Sequence, residues 1–278
     1  MQLKKALKDL NLLDRFLFAE AMEDPENMQI VLEIILGKEI VLKHLPKVEA
    51  EKRTSPLFRF VKLDVLARAE DDTLYNTEVQ RRNTNNLPHR SRFYQGMIDG
   101  TLLDPGESDF NEMNDVYIIL ITPFDIFGLG RYQYTFRMAC QEDPALALED
   151  GAVRIFLNTR GNDPENIRPE LIELLRYMEH TTEQTARTCK SKRIHILQER
   201  IQAIKSNEEV SVRFMQEWEE RALERQEAME EGRKEGRKPL LNILQKKLDK
   251  GKSVEVIADE LEESVDTIRA LMNELHLL

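Results

Sequence analysis

The run VYIILITPFDIF, Val116–Phe127, is apolar almost without interruption. A strand with one wet face alternates apolar and polar side chains. A continuous run reads as a strand covered on both sides. Its unbroken core, VYIILI, is far shorter than the ~20 residues that cross a bilayer. The chain must therefore supply helices to cover both faces of a sheet, and the flanking sequence offers them. Leu10, Leu13, Phe16 and Leu17 share a helical face, as do Ile30, Leu32, Ile35 and Leu36, with Pro25 near the start of the second helix and Gly37 at its end. IVLKHL at Ile40–Leu45 reads as a strand or an extended lead. FRFVKLDVLARA and LYNTEVQ read as two strands about a turn, RYQYTFRM at Arg131–Met138 and VRIFLNT at Val153–Thr159 as two more. HRSRFYQGMIDGTLL reads as a helix carrying the chain across the sheet. Helices before, among and after strands predict a mixed α/β core.

Beyond Pro169 the strand patterns stop. Glu170–Met178, Gln184–Ser206 and Val210–Arg237 have helical spacing and heavy charge. EEGRKEGRK at Glu230–Lys238 repeats EGRK, and its two glycines each cost a helix about 1 kcal/mol relative to alanine. It reads as a frayed linker or marginal helix. In the last forty residues, Ser253 can cap VEVIADEL, EES can turn the chain, and VDTIRALMNEL can form a second helix. This spacing resembles a helix-turn-helix. The second helix offers Arg269 and Asn273 beside Asp266 and Glu274, which suits a packing or self-association hairpin better than DNA reading. The expected division is a core over 1–165, a charged helical extension and linker over 166–238, and a small helical hairpin over 239–278.

Length and chemistry narrow the function. The 278 residues, 41% hydrophobic, can build one sizeable core with an appendage, or two small domains. The net charge of −11 argues against nucleic-acid binding by bulk charge, although a local basic patch can still take phosphates. Cys140 and Cys189 form no CxxC, so zinc ribbons and redox motifs are excluded. The histidines fall in no HxH or HExxH spacing, and no phosphate-binding glycine loop is present. The charged N-terminal residues provide no signal-peptide core, which predicts a soluble cytoplasmic protein without membrane contact.

LDVLARAEDDTLYNTEVQRR, Leu63–Arg82, carries the chemistry. A turn centred on Asp71 places Asp64 opposite Glu78 and Lys62 opposite Gln80. All four then project from one face, and Val61, Leu63, Val65, Thr77 and Val79 from the other. Like charges directly opposed in a sheet are destabilising. Two such carboxylates coexist by sharing a proton, by holding a divalent cation, or by sitting at a wet edge. Mg²⁺ favours one or two carboxylates with waters and substrate phosphate. Immediately beyond lies RRNTNNLPHRSRFYQ, with Arg81, Arg82, Arg90, Arg92 and no acid. Guanidinium forks suit phosphate oxygens. A cation between two acids beside arginines is the arrangement that phosphodiester hydrolysis needs.

These segments, with LPHRSRFYQGMID, the stretch Ile121–Gly161 and EGRKEGRK, resemble the PD-(D/E)XK nuclease-family transposases, also called the recombination-promoting nuclease (Rpn) family, from about Asp14 to Arg237. The resemblance implies an α/β restriction-endonuclease-like mixed sheet flanked by helices, with a helical C-terminal extension. It implies that Asp64 and Glu78 bind the metal. Gln80 stands where the superfamily usually has a lysine, as is common in this group. Glutamine is neither a cation nor a base, and Lys62, opposite it, is the candidate to supply the charge. A further acid from the first helices matches Glu33 best and Glu20 second.

The expectation is a DNA endonuclease using Mg²⁺, with Mn²⁺ or Ca²⁺ as alternatives. Its catalytic set is Asp64, Glu78, Gln80, Glu33 and Lys62. Arg81, Arg82, Arg90, Arg92, Tyr94 and Gln95 would contact DNA phosphates. The rivals are a catalytically weak DNA-binding or regulatory protein that keeps the fold, motivated by Gln80, and a protein that self-associates through its C-terminal helices.

Overall fold

A computed structural model describes residues 6–52 and 61–274. The chain divides into two compact units, Met1–Ser211 and Val212–Leu278. The start of FRFVKLDVLARA falls outside the described residues.

The first unit is built on a six-stranded sheet of order β1-β2-β3-β4-β6-β5. Its strands are β1 (Lys47–Lys52), β2 (Val61–Arg68), β3 (Leu74–Val79), β4 (Val116–Thr122), β5 (Gln133–Phe136) and β6 (Ala152–Asn158). β1, β2 and β3 form an antiparallel meander, β4 and β6 run parallel to β3, and β5 pairs antiparallel to β6 at the edge. The mixed α/β fold expected of a restriction-endonuclease-like core is present.

The second and third anticipated helices form where their signals lie, whereas the first starts only at Arg15, so Leu10 and Leu13 precede it. Asp14 caps α1 (Arg15–Met22) by accepting the Phe16 N–H, and Asp24 caps α2 (Pro25–Leu36). Gly37 ends α2 at φ +69°, the left-handed conformation glycine adopts without strain. α3 (Leu87–Asp99) makes the crossover from β3 to β4 and packs Leu87, Tyr94, Met97 and Ile98 on Leu74, Val116, Ile118 and Leu120. On the other face lie Tyr75, Ile119, Val153 and Ile155, all buried. The double coverage demanded by VYIILI is thus met. The chain at Ile40–Leu45 makes only an isolated bridge, Leu42 to Ala69.

The core does not stop at residue 165. α4 (Pro169–Glu179) and α6 (Lys192–Lys205), joined through the short α5 (Glu183–Arg187), pack on α1 and α2. Leu171, Leu174, Leu175, Ile194, Leu197 and Ile201 are buried there at helical spacing. The charge read as an extension is their outer face.

α7 (Glu208–Leu248) runs through the EGRK repeat as continuous helix. In the second unit its end packs Leu244 with Ile257 and Ala258 of α8 (Val254–Glu260) and Ile268, Leu271 and Met272 of α9 (Val265–Glu274). Ser253 caps α8 through the Val256 N–H. Among the described residues no helix is long and apolar enough to cross a membrane.

Candidate active site

The register of the central hairpin decides which side chains meet. Val65 pairs with Thr77, Leu66 with Asn76, Ala67 with Tyr75 and Arg68 with Leu74, and the same register extended by one residue sets Asp64 against Glu78. The turn contains no glycine. Asp72 takes the left-handed position instead, at φ +63°, and is anchored by Lys43 at 2.7 Å and Arg68 at 2.8 Å. Aspartate tolerates that conformation better than most residues, so the register holds.

Pairing of β2 with β3 ends at Val65–Thr77, although both strands continue. In the gap, side chains replace carbonyls as acceptors. The Asp64 N–H donates to Glu78 Oε1 at 2.9 Å, and the Val79 N–H donates to Asp64 Oδ2 at 3.2 Å. Each carboxylate is therefore locked by the other strand's backbone, and both are buried, at 4% and 2% exposure. Burial pushes the Glu78 carboxyl up to about 8, and the neighbouring Asp64 adds to the shift. Burial also raises Asp64, against the opposing pull of Arg15 and the Val79 N–H. The wet-edge arrangement is excluded, because neither acid is wet.

Residues outside the sequence-derived set complete the site. Arg15, at the first turn of α1, places Nε 2.6 Å from Asp64 Oδ1. Glu49 stands opposite Asp64 in the β1–β2 register, between the pairs Val48–Val65 and Ala50–Leu63. It sits at φ +50°, a strained conformation for a glutamate within a strand. Its carboxylate lies 4.0 Å from Arg15 Nη2 and 2.6 Å from Lys62 Nζ. Three acids thus form a row across β1, β2 and β3. A sequence signal for Glu49 existed only if KVEAEK was recognised as a strand, and none marked Arg15.

The sequence-derived residues divide sharply. Asp64, Glu78, Gln80 and Arg90 come together: Arg90 Nη2 donates to Gln80 Oε1 at 3.1 Å and lies 4.0 Å from Glu78 Oε2. Gln80 Nε2 donates to the Arg82 carbonyl at 2.8 Å. Lys62 is exposed and held by Glu49. Glu33 is engaged elsewhere. It accepts the Ile40 N–H at 3.2 Å and meets Arg193 Nη1 at 3.3 Å, tying α2 to α6. Glu20 lies half-buried on α1, the helix that packs on β1 and β2.

The basic stretch is split by helical geometry. Arg81, Arg82 and Arg92 are exposed. Tyr94 and Gln95 face inward, at 8% and 5% exposure, so neither reaches a DNA backbone as expected. Tyr94 packs under the Arg90 guanidinium, 5.4 Å from ring centre, and Gln95 donates to Asp99 at 2.8 Å.

Asp64 and Glu78 supply carboxylate oxygens of the hard type that Mg²⁺ prefers, while the Gln80 side-chain oxygen accepts from Arg90. Among the described residues, no group of three or more His, Cys, Asp or Glu side chains is arranged to hold a metal. A two-carboxylate site remains, and two observations fit a cation there. The Asn76 amide, fully buried two residues before Glu78 on the same face, lies beside the Glu78 carboxyl and favours its ionised form. The Arg15 guanidinium already places positive charge on the outer oxygen of Asp64.

No curated protein and no solved structure matches the chain. A family model described as PD-(D/E)XK nuclease family transposase matches residues 15–232, from the arginine beside Asp64 through most of α7. With the mixed sheet and the acid pair in register at its centre, the chain belongs to the PD-(D/E)XK nuclease family transposases.

Proposed function

We propose that the chain is a Mg²⁺-dependent DNA endonuclease serving recombination or the movement of mobile elements. Nucleases of this class generally use divalent metals. The observation that carries the reading is a pair of buried carboxyl groups, each fixed by the other strand's N–H and with too little positive charge nearby to keep both ionised. Asp64 and Glu78 would hold the cation. Bound there, a divalent ion polarises the scissile phosphate and lowers the pKa of an attacking water.

The chain's own groups do the rest. Arg90 orients both Glu78 and Gln80 from one guanidinium. Lys62, steadied by Glu49, supplies the cation that a glutamine at position 80 cannot, and faces solvent where a phosphate can approach. Arg81, Arg82 and Arg92 bind the DNA backbone electrostatically. Arg15 holds Asp64 Oδ1, the oxygen that a cation at this site would compete for. A nicking assay on supercoiled plasmid with Mg²⁺, Mn²⁺ and Ca²⁺, run beside Asp64→Ala, tests the reading. Equal cutting by both proteins refutes it.

A second reading is a DNA-binding protein that has kept the fold and lost most of its activity. It is favoured by Gln80, whose amide is engaged at both ends. It predicts salt-dependent DNA binding and no nicking with any of the three metals.

A further inference from the structure

On the sheet face opposite the acid pair, beside the first residues of β4 and β6, lies an open cleft of about 580 Å³. Its size is that of a small-molecule site. Ile35 of α2 and Val153 and Ile155 of β6 form an apolar floor. Tyr117 adds an aromatic ring, backed by Tyr75 at 5.2 Å between centroids. Three cations stand around it, Lys38, Arg137 and Arg168, and no carboxylate lines it. In a chain of net charge −11, a cleft with three cations and no acid is a local reversal of the overall field.

The cations are placed by the fold. Arg168 lies across the end of α2, donating to the Ile35 carbonyl at 2.7 Å. It can do so because residue 37 is glycine: a Cβ there would fall 2.3 Å from Arg168 Nη1. Lys38 follows immediately, with Nζ 6.0 Å from the centre of the Tyr117 ring. Arg137 extends from β5 on the same face as Gln133 and Thr135, which also line the cleft. Neither Lys38 nor Arg137 makes an ion pair among the described residues.

We infer that this cleft binds a nucleoside phosphate, its base on Tyr117 and the apolar floor and its phosphate among Lys38, Arg137 and Arg168. Aromatic faces stack any base, and guanidinium forks match phosphate oxygens. Gln133 and Asn166 also line the cleft; their amide nitrogens donate to Thr135 Oγ1 and Glu165 Oε1, each at 3.0 Å, which leaves the amide oxygens to accept from the edge of the base. The ligand is a free nucleotide or the 5′-phosphorylated end of a single strand, which present the same chemistry.

Isothermal titration of the full chain in EDTA tests this, with deoxyadenosine monophosphate, deoxyadenosine and a 5′-phosphorylated thymidine oligonucleotide as probes. EDTA keeps metal from the acid pair. The monophosphate should bind at least about tenfold more tightly than the nucleoside, because the phosphate contacts are charge-assisted. The double variant Lys38→Ala/Arg137→Ala, at two exposed positions, should weaken it by about tenfold or more, and Asp64→Ala should leave it unchanged. Binding of the oligonucleotide with the same loss in the double variant assigns a strand end, and binding of the monophosphate alone assigns a free nucleotide. No binding of either phosphate, equal affinity for nucleoside and monophosphate, or an undiminished affinity in the double variant overturns the inference. Failure of the nuclease reading would appear in Asp64→Ala nicking and would leave these titrations untouched.

Discussion

Two pairs of acids in the first unit have opposite fates. Glu33 and Glu170 converge on one guanidinium, Arg193, at the junction of α2, α4 and α6. Both are partly open to solvent, and the Arg193 hydrogen bond holds Glu170 below the usual carboxylate range. Asp64 and Glu78 are almost fully buried, lie across a strand gap, and are both raised. The first pair is a finished ionic tie, with its charge met by the protein. In the second the protein has positioned oxygen donors with too little positive charge nearby to keep both ionised. The family resemblance brought Glu33 into the expected site, and the difference in charge balance separates it.

The comparison breaks most decisively by removing one carboxylate. Asp64→Ala or Glu78→Ala should reduce Mg²⁺-dependent plasmid nicking by ~100-fold or more, since metal and oriented water are lost together. Arg193→Ala should nick at close to the parental rate. If Arg193→Ala is as inactive as Asp64→Ala while remaining folded, the two acid pairs have not been told apart correctly.

Stability should show the reverse order. Arg193→Ala removes the guanidinium that Glu33 and Glu170 share and leaves Glu170 only the weaker pull of Arg168, and urea melts at pH 7 should lose roughly 1–3 kcal/mol. Glu170 adds a sign to this. Its folded pKa is lowered, so its contribution is present above the unfolded pKa and fades as pH falls through the folded one.

Glu78 has the opposite sign. The folded protein keeps its proton to about pH 8, whereas the unfolded chain releases it near 4.5. Stability should therefore fall as pH rises between those values and level off above them. Glu78→Gln keeps an acceptor for the Asp64 N–H and removes the titration. Without metal it should be more stable than the parent in urea melts at pH 8, by several kcal/mol, and close to the parent at pH 5. Parallel stability curves for the two proteins from pH 5 to 8 would show that Glu78 is not protonated in the fold.

The smallest effect concerns the arginines. Arg81→Ala, Arg82→Ala and Arg92→Ala should each lower the salt slope of DNA binding by about one, and Gln95→Ala should not. An equal change in Gln95→Ala would place that side chain on the DNA.

The legible parts of this molecule are those that depend on local periodicity. The hairpin register followed from the turn centre and survived the missing glycine because Asp72 accepts the left-handed position. The ends of α2 followed from Pro25 and Gly37. β1 was missed because KVEAEK carries only Val48 and Ala50 as apolar residues, as an edge strand can. With it went Glu49, which comes beside Asp64 only because β1 pairs with β2. Arg15 depends on how α1 packs, which no spacing encodes. The arginine run read as one basic surface until α3 turned Tyr94 and Gln95 inward and left Arg92 outside. The core boundary failed for a similar reason: the charged outer faces of α4 and α6 concealed the apolar stripe that buries against α1 and α2.

The most direct measurement is a crystal soaked in Mn²⁺ and recorded at a wavelength where manganese scatters anomalously. The account predicts a peak in contact with oxygens of both Asp64 and Glu78, with Arg15 withdrawn from Asp64. No peak there, with the Arg15–Asp64 pair intact at a Mn²⁺ concentration that supports nicking, would contradict it.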